Sequence, residues 1–230
     1  MATYDLEQQE QLDQFKHFWK TYGNLISWVL AAAVAAYAGW TGYQYWQTDR
    51  AAKAAGMYEE LDRAAVQGDA DKVQRVFADL KGQYGGTTLS EQGALLAAQV
   101  LVEKGKTDEG RAALQWLVES GKNPNLVAVA RLRLAGVLLD QKKYDEAITV
   151  VAAKVPEEFN ALVSDRRGDI LQAQGKKEEA LKAYQEAYKA MDAKVEYRRF
   201  IEGKLTALGE PPADGLLKSM TPQVNLPAQN

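Results

Sequence analysis

The sequence has 230 residues, a formal net charge of -3 and no cysteine. The absence of cysteine excludes a disulfide scaffold, a thiolate nucleophile and any zinc site with cysteine ligands. The near-neutral charge argues against nucleic-acid binding, because contacts to phosphate need basic patches. His17 is the single histidine, so a histidine-rich metal site is excluded as well, and we expect no metal and no cofactor.

The first predicted element is a short N-terminal segment, residues 1–24, that contains an amphipathic helix. Its apolar side chains recur at intervals of three and four residues, at Leu12, Phe15, Trp19 and Tyr22. This spacing places them on one face of a helix that can lie at a membrane surface or dock on a partner. Gly23 and Asn24 then permit a bend into the next element.

The second predicted element is a transmembrane helix over residues 25–46. The sequence has no charged residue between Lys20 and Asp49. A helix over residues 25–46 is about 33 Å long, enough to cross the roughly 30 Å hydrocarbon core of a bilayer. Tryptophan and tyrosine residues cluster at both ends of the apolar stretch, as in the aromatic belts of membrane proteins.

Other interpretations of this stretch remain open. A cleaved signal peptide would place its cleavage site near Ala36-Tyr37-Ala38, but residues 1–20 carry more acidic than basic side chains, unlike the start of a signal peptide. A buried helix of a soluble protein is rarely uncharged over such a length. The Lys and Arg residues on the two flanks do not settle the orientation of the helix.

Small residues form a ridge along the predicted transmembrane helix, at Ala31, Ala35 and Gly39. Such a ridge lets two membrane helices approach closely, so these residues are candidates for helix packing. In a stretch this rich in alanine, the same spacing also arises by chance.

Residues 49–208 contain an internal repeat. Segments with a short turn, an acidic helix start and an amphipathic helix recur, with turn positions at Gly68, Gly105, Lys142 and Gly175. The spacings of 37, 37 and 33 residues are close to the period of about 34 residues of tetratricopeptide repeats. We therefore predict an all-α fold, in which the transmembrane helix is followed by about four tetratricopeptide-like helical hairpins that form an α-solenoid.

The residue types at these positions have physical roles that agree with hairpins. Glycine at a turn supplies the left-handed backbone that ends a helix. Gly110, Ala147 and Ala180 are small enough for the two helices of a hairpin to pack closely, and Tyr184 and Tyr188 are expected to pack between hairpins. Residues 195–208 predict a closing helix, and the proline-rich residues 209–230 predict a flexible tail.

The sequence shows no catalytic motif, and we predict that the protein is not an enzyme. Stacked hairpins instead present a concave surface, and such surfaces bind peptides and protein segments. The repeat register predicts that five residues point toward this surface: Leu132, Leu139, Asp165, Asp169 and Gln172. Asp165, beside Arg166 and Arg167, would form a polar contact patch, the alternative being solvated charge on a helix face.

The order of these features resembles a known family. An acidic N-terminus is followed by QLDQFKHFW, an apolar span ending in GYQYW, and repeats containing NLVAVARLRLAGVLL and DRRGDILQAQGKKEEA. These segments resemble the YfgM-type ancillary subunits of the bacterial SecYEG translocon over nearly the whole chain.

The resemblance implies a single-pass protein of the bacterial inner membrane, with a cytoplasmic N-terminus and a periplasmic repeat domain. Its implied partners are the SecYEG translocon and a membrane-anchored, prolyl-isomerase-like periplasmic chaperone, and its role is to help pass secreted proteins to periplasmic chaperones. The cytoplasmic segment is implied to restrain a stress-response regulator. A general scaffold for cell-envelope assembly shares every feature read from the residues and remains the alternative.

Overall fold

The computed structural model describes residues 2–213, with side chains from residue 15 onward. The described residues form helices and no strand, which confirms the predicted all-α class. The elements are α1 (Ala2–Gln67), α2 (Ala70–Tyr84), α3 (Thr88–Glu103), α4 (Thr107–Ser120), α5 (Pro124–Asp140), α6 (Tyr144–Val151), a 3-10 turn (Glu157–Phe159), α7 (Asn160–Ala173), α8 (Lys177–Ala190) and α9 (Arg198–Ala207). The chain divides into two compact units, Met1–Lys53 and Ala54–Asn230.

The first unit consists of the N-terminal part of α1. By length and composition, this helix is apolar enough to cross a membrane, and its apolar side chains are exposed. Aromatic rings pair near both ends of the apolar stretch, Phe15 with Trp19 at 6.3 Å between ring centroids and Tyr43 with Trp46 at 6.2 Å. The bend that the sequence permits at Gly23 and Asn24 is absent, since both residues lie within the continuous helix α1.

The second unit begins with a hairpin between the end of α1 and α2. Leu61 is fully buried together with Val73 and Leu80. A Cβ atom on Gly93 of α3 would lie 2.8 Å from Leu80 Cδ2 and 3.1 Å from Leu61 Cδ2, so α3 packs tightly against both helices of this hairpin. The first repeat thus carries a leucine where a small residue is usual, and a glycine in the next helix makes room for it.

Three further hairpins follow, α3 with α4, α5 with α6 and α7 with α8, and α9 packs on α8. Each hairpin also packs on the next. The buried residues form a large core that extends from the first hairpin to α7 and a smaller second cluster under α9. Tyr184 and Tyr188 are buried in that smaller cluster, so they pack within the last hairpin and against α9 rather than between two complete hairpins.

The turns within the hairpins share one geometry. Gly68, Gly105, Lys142 and Gly175 all adopt a left-handed backbone, with φ of 66°, 78°, 60° and 79°. The N–H of each turn residue bonds to a carbonyl three residues back, and the next N–H bonds to one five residues back. This is the Schellman motif, and it confirms the turn positions predicted from the spacing.

A fifth turn of the same kind follows α9. Gly209 has a φ of 92°, and Gly209 and Glu210 donate the same two backbone hydrogen bonds. Gly209 lies 34 residues after Gly175, so α9 is the first helix of a further, half repeat. Helix α9 agrees with the closing helix expected over residues 195–208, but Gly209 belongs to its turn rather than to the expected tail, whose residues 214–230 lie outside the described part of the chain.

Small residues allow the close approach of paired helices, as predicted. A Cβ atom on Gly110 would lie 2.7 Å from Val102 Cγ2 and 3.0 Å from the Ala98 carbonyl oxygen. A Cβ atom on Gly168 would lie 2.5 Å from the Tyr184 ring. Real side chains do not tolerate such distances, so glycine at these positions sets the separation of α3 from α4 and of α7 from α8.

Candidate protein-binding surface

Two of the five predicted surface residues lie on α5. Leu132 and Leu139 are half-buried, and Leu139 packs against the core of the repeat unit. Neither side chain is an exposed apolar anchor. They expose only part of their apolar surface for a partner to cover.

The side chain of Asp165 is buried, with 3% of the residue exposed. Lys204 Nζ of α9 donates to both carboxylate oxygens, at 2.8 and 2.9 Å, and the Tyr197 hydroxyl donates to Oδ2 at 2.8 Å. The expectation that Asp165 forms an exposed contact patch is therefore wrong. The carboxylate holds the closing helix on the last hairpin, and a charge this deeply buried requires such partners.

Asp169 and Gln172, one and two turns farther along α7, extend the same cluster. Asp169 Oδ1 accepts hydrogen bonds from Lys204 Nζ at 2.6 Å and from the Tyr184 hydroxyl at 2.9 Å. The Tyr184 oxygen also lies 2.8 Å from the Gln172 amide. A phenol has one proton and a carboxylate only accepts, so Tyr184 donates to Asp169 and the Gln172 amide presents its NH2 group to the tyrosine.

The charges of this cluster are balanced. Asp165 and Asp169 face Lys204, and Arg166 Nη1 adds a longer contact of 3.5 Å to Asp169 Oδ2. Burial raises the pKa of the Tyr184 phenol, and the neighbouring Asp169 carboxylate raises it further. Burial and the Asp165 carboxylate likewise raise the pKa of Tyr197. Both phenols therefore remain protonated donors at neutral pH.

Sequence reasoning missed Lys204 and Tyr197. These residues lie more than thirty positions beyond Asp165. The repeat register places Asp165 and Asp169 on one face of α7, but it does not specify which side chains of a later helix cover that face.

A cavity of about 530 Å³ opens on the first helices of the second, third and fourth hairpins, and it takes in the residues that neighbour the predicted set. Arg133 and Val137 of α5 line it, together with Val102 of α3 and Arg166 of α7. The five predicted residues do not line this cavity. Their role in binding a partner stays a prediction.

Ala31, Ala35 and Gly39 are exposed on α1, and a Cβ atom on Gly39 would meet nothing within 4 Å. Their role in packing against another membrane helix stays a prediction. Among the side chains that the structure describes, no group of three or more histidine or acidic residues is arranged to hold a metal ion.

Comparisons with known proteins agree with this architecture. The profile of the family "Tetratricopeptide repeat-like domain" matches residues 16–210. An "Ancillary SecYEG translocon subunit" of Neisseria gonorrhoeae (strain ATCC 700825 / FA 1090) is 31% identical over 204 residues, which cover 88% of this chain and 98% of that protein. The protein of the same name from Escherichia coli (strain K12) is 28% identical over 193 residues, covering 83% of this chain and 91% of that one.

Among solved structures, a chain described as "MamA RS-1 ArsTM double mutant" is similar over 68% of this chain and 89% of its own, at 17% identity and a TM-score of 0.48. The matches in sequence extend from the apolar part of α1 through all four hairpins to the Gly209 turn. The chain therefore belongs to the tetratricopeptide repeat-like family of ancillary SecYEG translocon subunits.

Proposed function

We propose that the protein is a membrane-anchored interaction subunit of the SecYEG translocon that helps pass secreted proteins to periplasmic chaperones. One observation carries the proposal. A relative named as an ancillary SecYEG translocon subunit aligns over 98% of its own length with this chain. The likeness therefore includes both the apolar helix and the repeat unit, rather than a repeat domain alone.

Residues 25–46 of α1 would anchor the protein in the bacterial inner membrane. Their length, their apolar composition and the aromatic rings near both ends support this placement. The N-terminal segment would be cytoplasmic and the repeat unit periplasmic, as the resemblance to YfgM-type subunits implies. Ala31, Ala35 and Gly39 would let the anchor pack against another membrane helix.

The repeat unit would act by binding proteins rather than by catalysis. Its first helices offer the half-buried side chains of Leu132 and Leu139 on α5 and the exposed side chain of Gln172 on α7. Beyond the translocon, the resemblance supports a membrane-anchored, prolyl-isomerase-like chaperone as the periplasmic partner. It also supports a cytoplasmic stress-response regulator as a partner of the N-terminal segment.

Site-specific photocrosslinking in native membranes tests this proposal. A photoreactive amino acid at Gln172, which is exposed on α7, is compared with one at Glu186, which is exposed on α8. We expect crosslinks from position 172 to translocon subunits or to a periplasmic chaperone, with fewer from position 186. Crosslinks from both positions to an unrelated envelope complex would instead favour a general assembly scaffold and refute the proposal.

A further inference from the structure

The charged and apolar side chains that line the cavity of about 530 Å³ indicate which kind of peptide segment would bind there. Arg133 and Arg166 line the cavity, and each precedes the left-handed turn residue of its hairpin by the same nine positions. They are therefore equivalent residues of successive repeats, so they occupy matching places on neighbouring first helices.

Acidic residues also line the cavity, and they too are equivalent. Glu103 and Asp140 each lie two positions before their turn residue. The apolar side chains of Val102 and Val137 also contribute to the lining. The cavity thus combines apolar surface with one pair of cations and one pair of carboxylates.

The Arg166 side chain has unused hydrogen-bonding capacity, whereas Arg133 Nη1 donates to the Leu95 carbonyl oxygen at 3.2 Å. The Nε atom of Arg166 is buried and has no hydrogen-bond partner in the described structure. The Nη1 atom of the same side chain makes only the 3.5 Å contact with Asp169. A guanidinium group has five N–H donors, and the Arg166 side chain is 34% exposed, so its terminal nitrogens are open to an incoming acceptor.

The two carboxylates of the cavity are already hydrogen-bonded or solvated. The Glu103 carboxylate already accepts a hydrogen bond from Gln99 Nε2 at 3.0 Å, and Asp140 is exposed to solvent. The ligand group that this cavity favours is therefore a carboxylate.

We propose that this cavity binds an extended peptide segment in which an acidic residue neighbours an apolar one. The carboxylate contacts Arg133 and Arg166, in the geometry that guanidinium groups favour, and the apolar side chain covers Val102 and Val137. This inference rests on the proposed function and deepens it, since it names the chemistry of the segment that the repeat unit binds.

Fluorescence anisotropy with the full-length protein in mild detergent tests the proposal. The probes are a labelled peptide Gly-Ser-Asp-Leu-Asp-Leu-Gly-Ser and its counterpart with lysine in place of both aspartates. We expect the acidic peptide to bind at least about tenfold more tightly, because opposite charges attract and like charges repel at a partly desolvated site. The preference should shrink as the salt concentration rises from about 50 to about 300 mM.

The double variant R133E/R166E should reverse the preference toward the lysine peptide. The matched control is R63E/R75E, which changes the net charge equally at two exposed arginines that do not line the cavity. Circular dichroism confirms that both variants remain helical. Absence of binding by the acidic peptide, equal binding of the two peptides, or equal effects of the two double variants would overturn the inference.

Co-purification of translocon subunits with the same variants separates this inference from the proposed function. Loss of peptide preference in R133E/R166E with the translocon retained supports a cavity for client segments. A wild-type protein that prefers the acidic peptide but recovers no translocon subunit would retain the inference about the cavity and refute the proposed function.

Discussion

The ion pair between Asp165 and Lys204 leads to a sharp prediction about the closing helix. Replacing Lys204 by methionine keeps most of the side-chain volume but removes three N–H donors and the positive charge. Asp165, whose side chain is 4% exposed, would then keep only the hydrogen bond from Tyr197. A buried carboxylate without its cation strongly disfavours the folded state.

The expected magnitude follows from the exposure of the two partners. Breaking a fully buried pair costs about 3–5 kcal/mol. The Lys204 side chain is 27% exposed, so water partly solvates the site, and we expect K204M to lower the free energy of unfolding by about 2–3 kcal/mol. For a repeat unit of this size, the melting temperature should fall by about 5–10 °C.

Urea unfolding of the full-length protein in detergent, followed by circular dichroism, measures this loss. K182M is the control, because Lys182 is exposed on α8. The double variant D165N/K204M should regain at least about 1 kcal/mol, since it removes the stranded negative charge. Equal stability of K204M and K182M, or no recovery in the double variant, would refute the reasoning.

Three further predictions concern the same hairpins. The pKa values of the Tyr184 and Tyr197 phenols are raised in the folded state, whereas in the unfolded state these phenols lose their protons above the ordinary pKa of 10.0. The free energy of unfolding should therefore fall as the pH rises above 10.0, and it should fall less in Y184F. Unfolding at several pH values measures this. K142G should gain about 0.5–1 kcal/mol in thermal unfolding, because Lys142 has a φ of 60°. G168A should lose about 1–3 kcal/mol by overpacking against Tyr184, whereas G82A, with nothing near its new Cβ atom, should not lose stability.

The parts of the fold that repeat were predictable from the sequence. Gly68, Gly105 and Gly175 mark helix ends because the left-handed turn favours glycine, and their spacing predicts the hairpins. Lysine does not favour the left-handed conformation, so only the position of Lys142 in the repeat register identified it as a turn residue. Gly209 has the same geometry, but two prolines follow it closely, and a proline-rich segment indicates a tail rather than a turn.

The candidate surface was predictable only in part. Helical periodicity specifies which residues share a face, so it placed Asp165 and Asp169 together on α7. It does not specify what packs on that face, and here Lys204 and Tyr197 cover Asp165. The cavity near Arg166 was missed for the same reason, since its lining comes from four helices, α3, α4, α5 and α7, whose contacts no single periodic pattern encodes.

The central claim is that this chain is a membrane-anchored subunit that associates with the translocon. Affinity purification of the intact protein from membranes dissolved in mild detergent, with mass spectrometry of the proteins that co-purify, tests it most directly. The account predicts recovery of SecYEG subunits together with a periplasmic chaperone. Recovery of a different envelope complex, with SecYEG at the level of an untagged control, would contradict it.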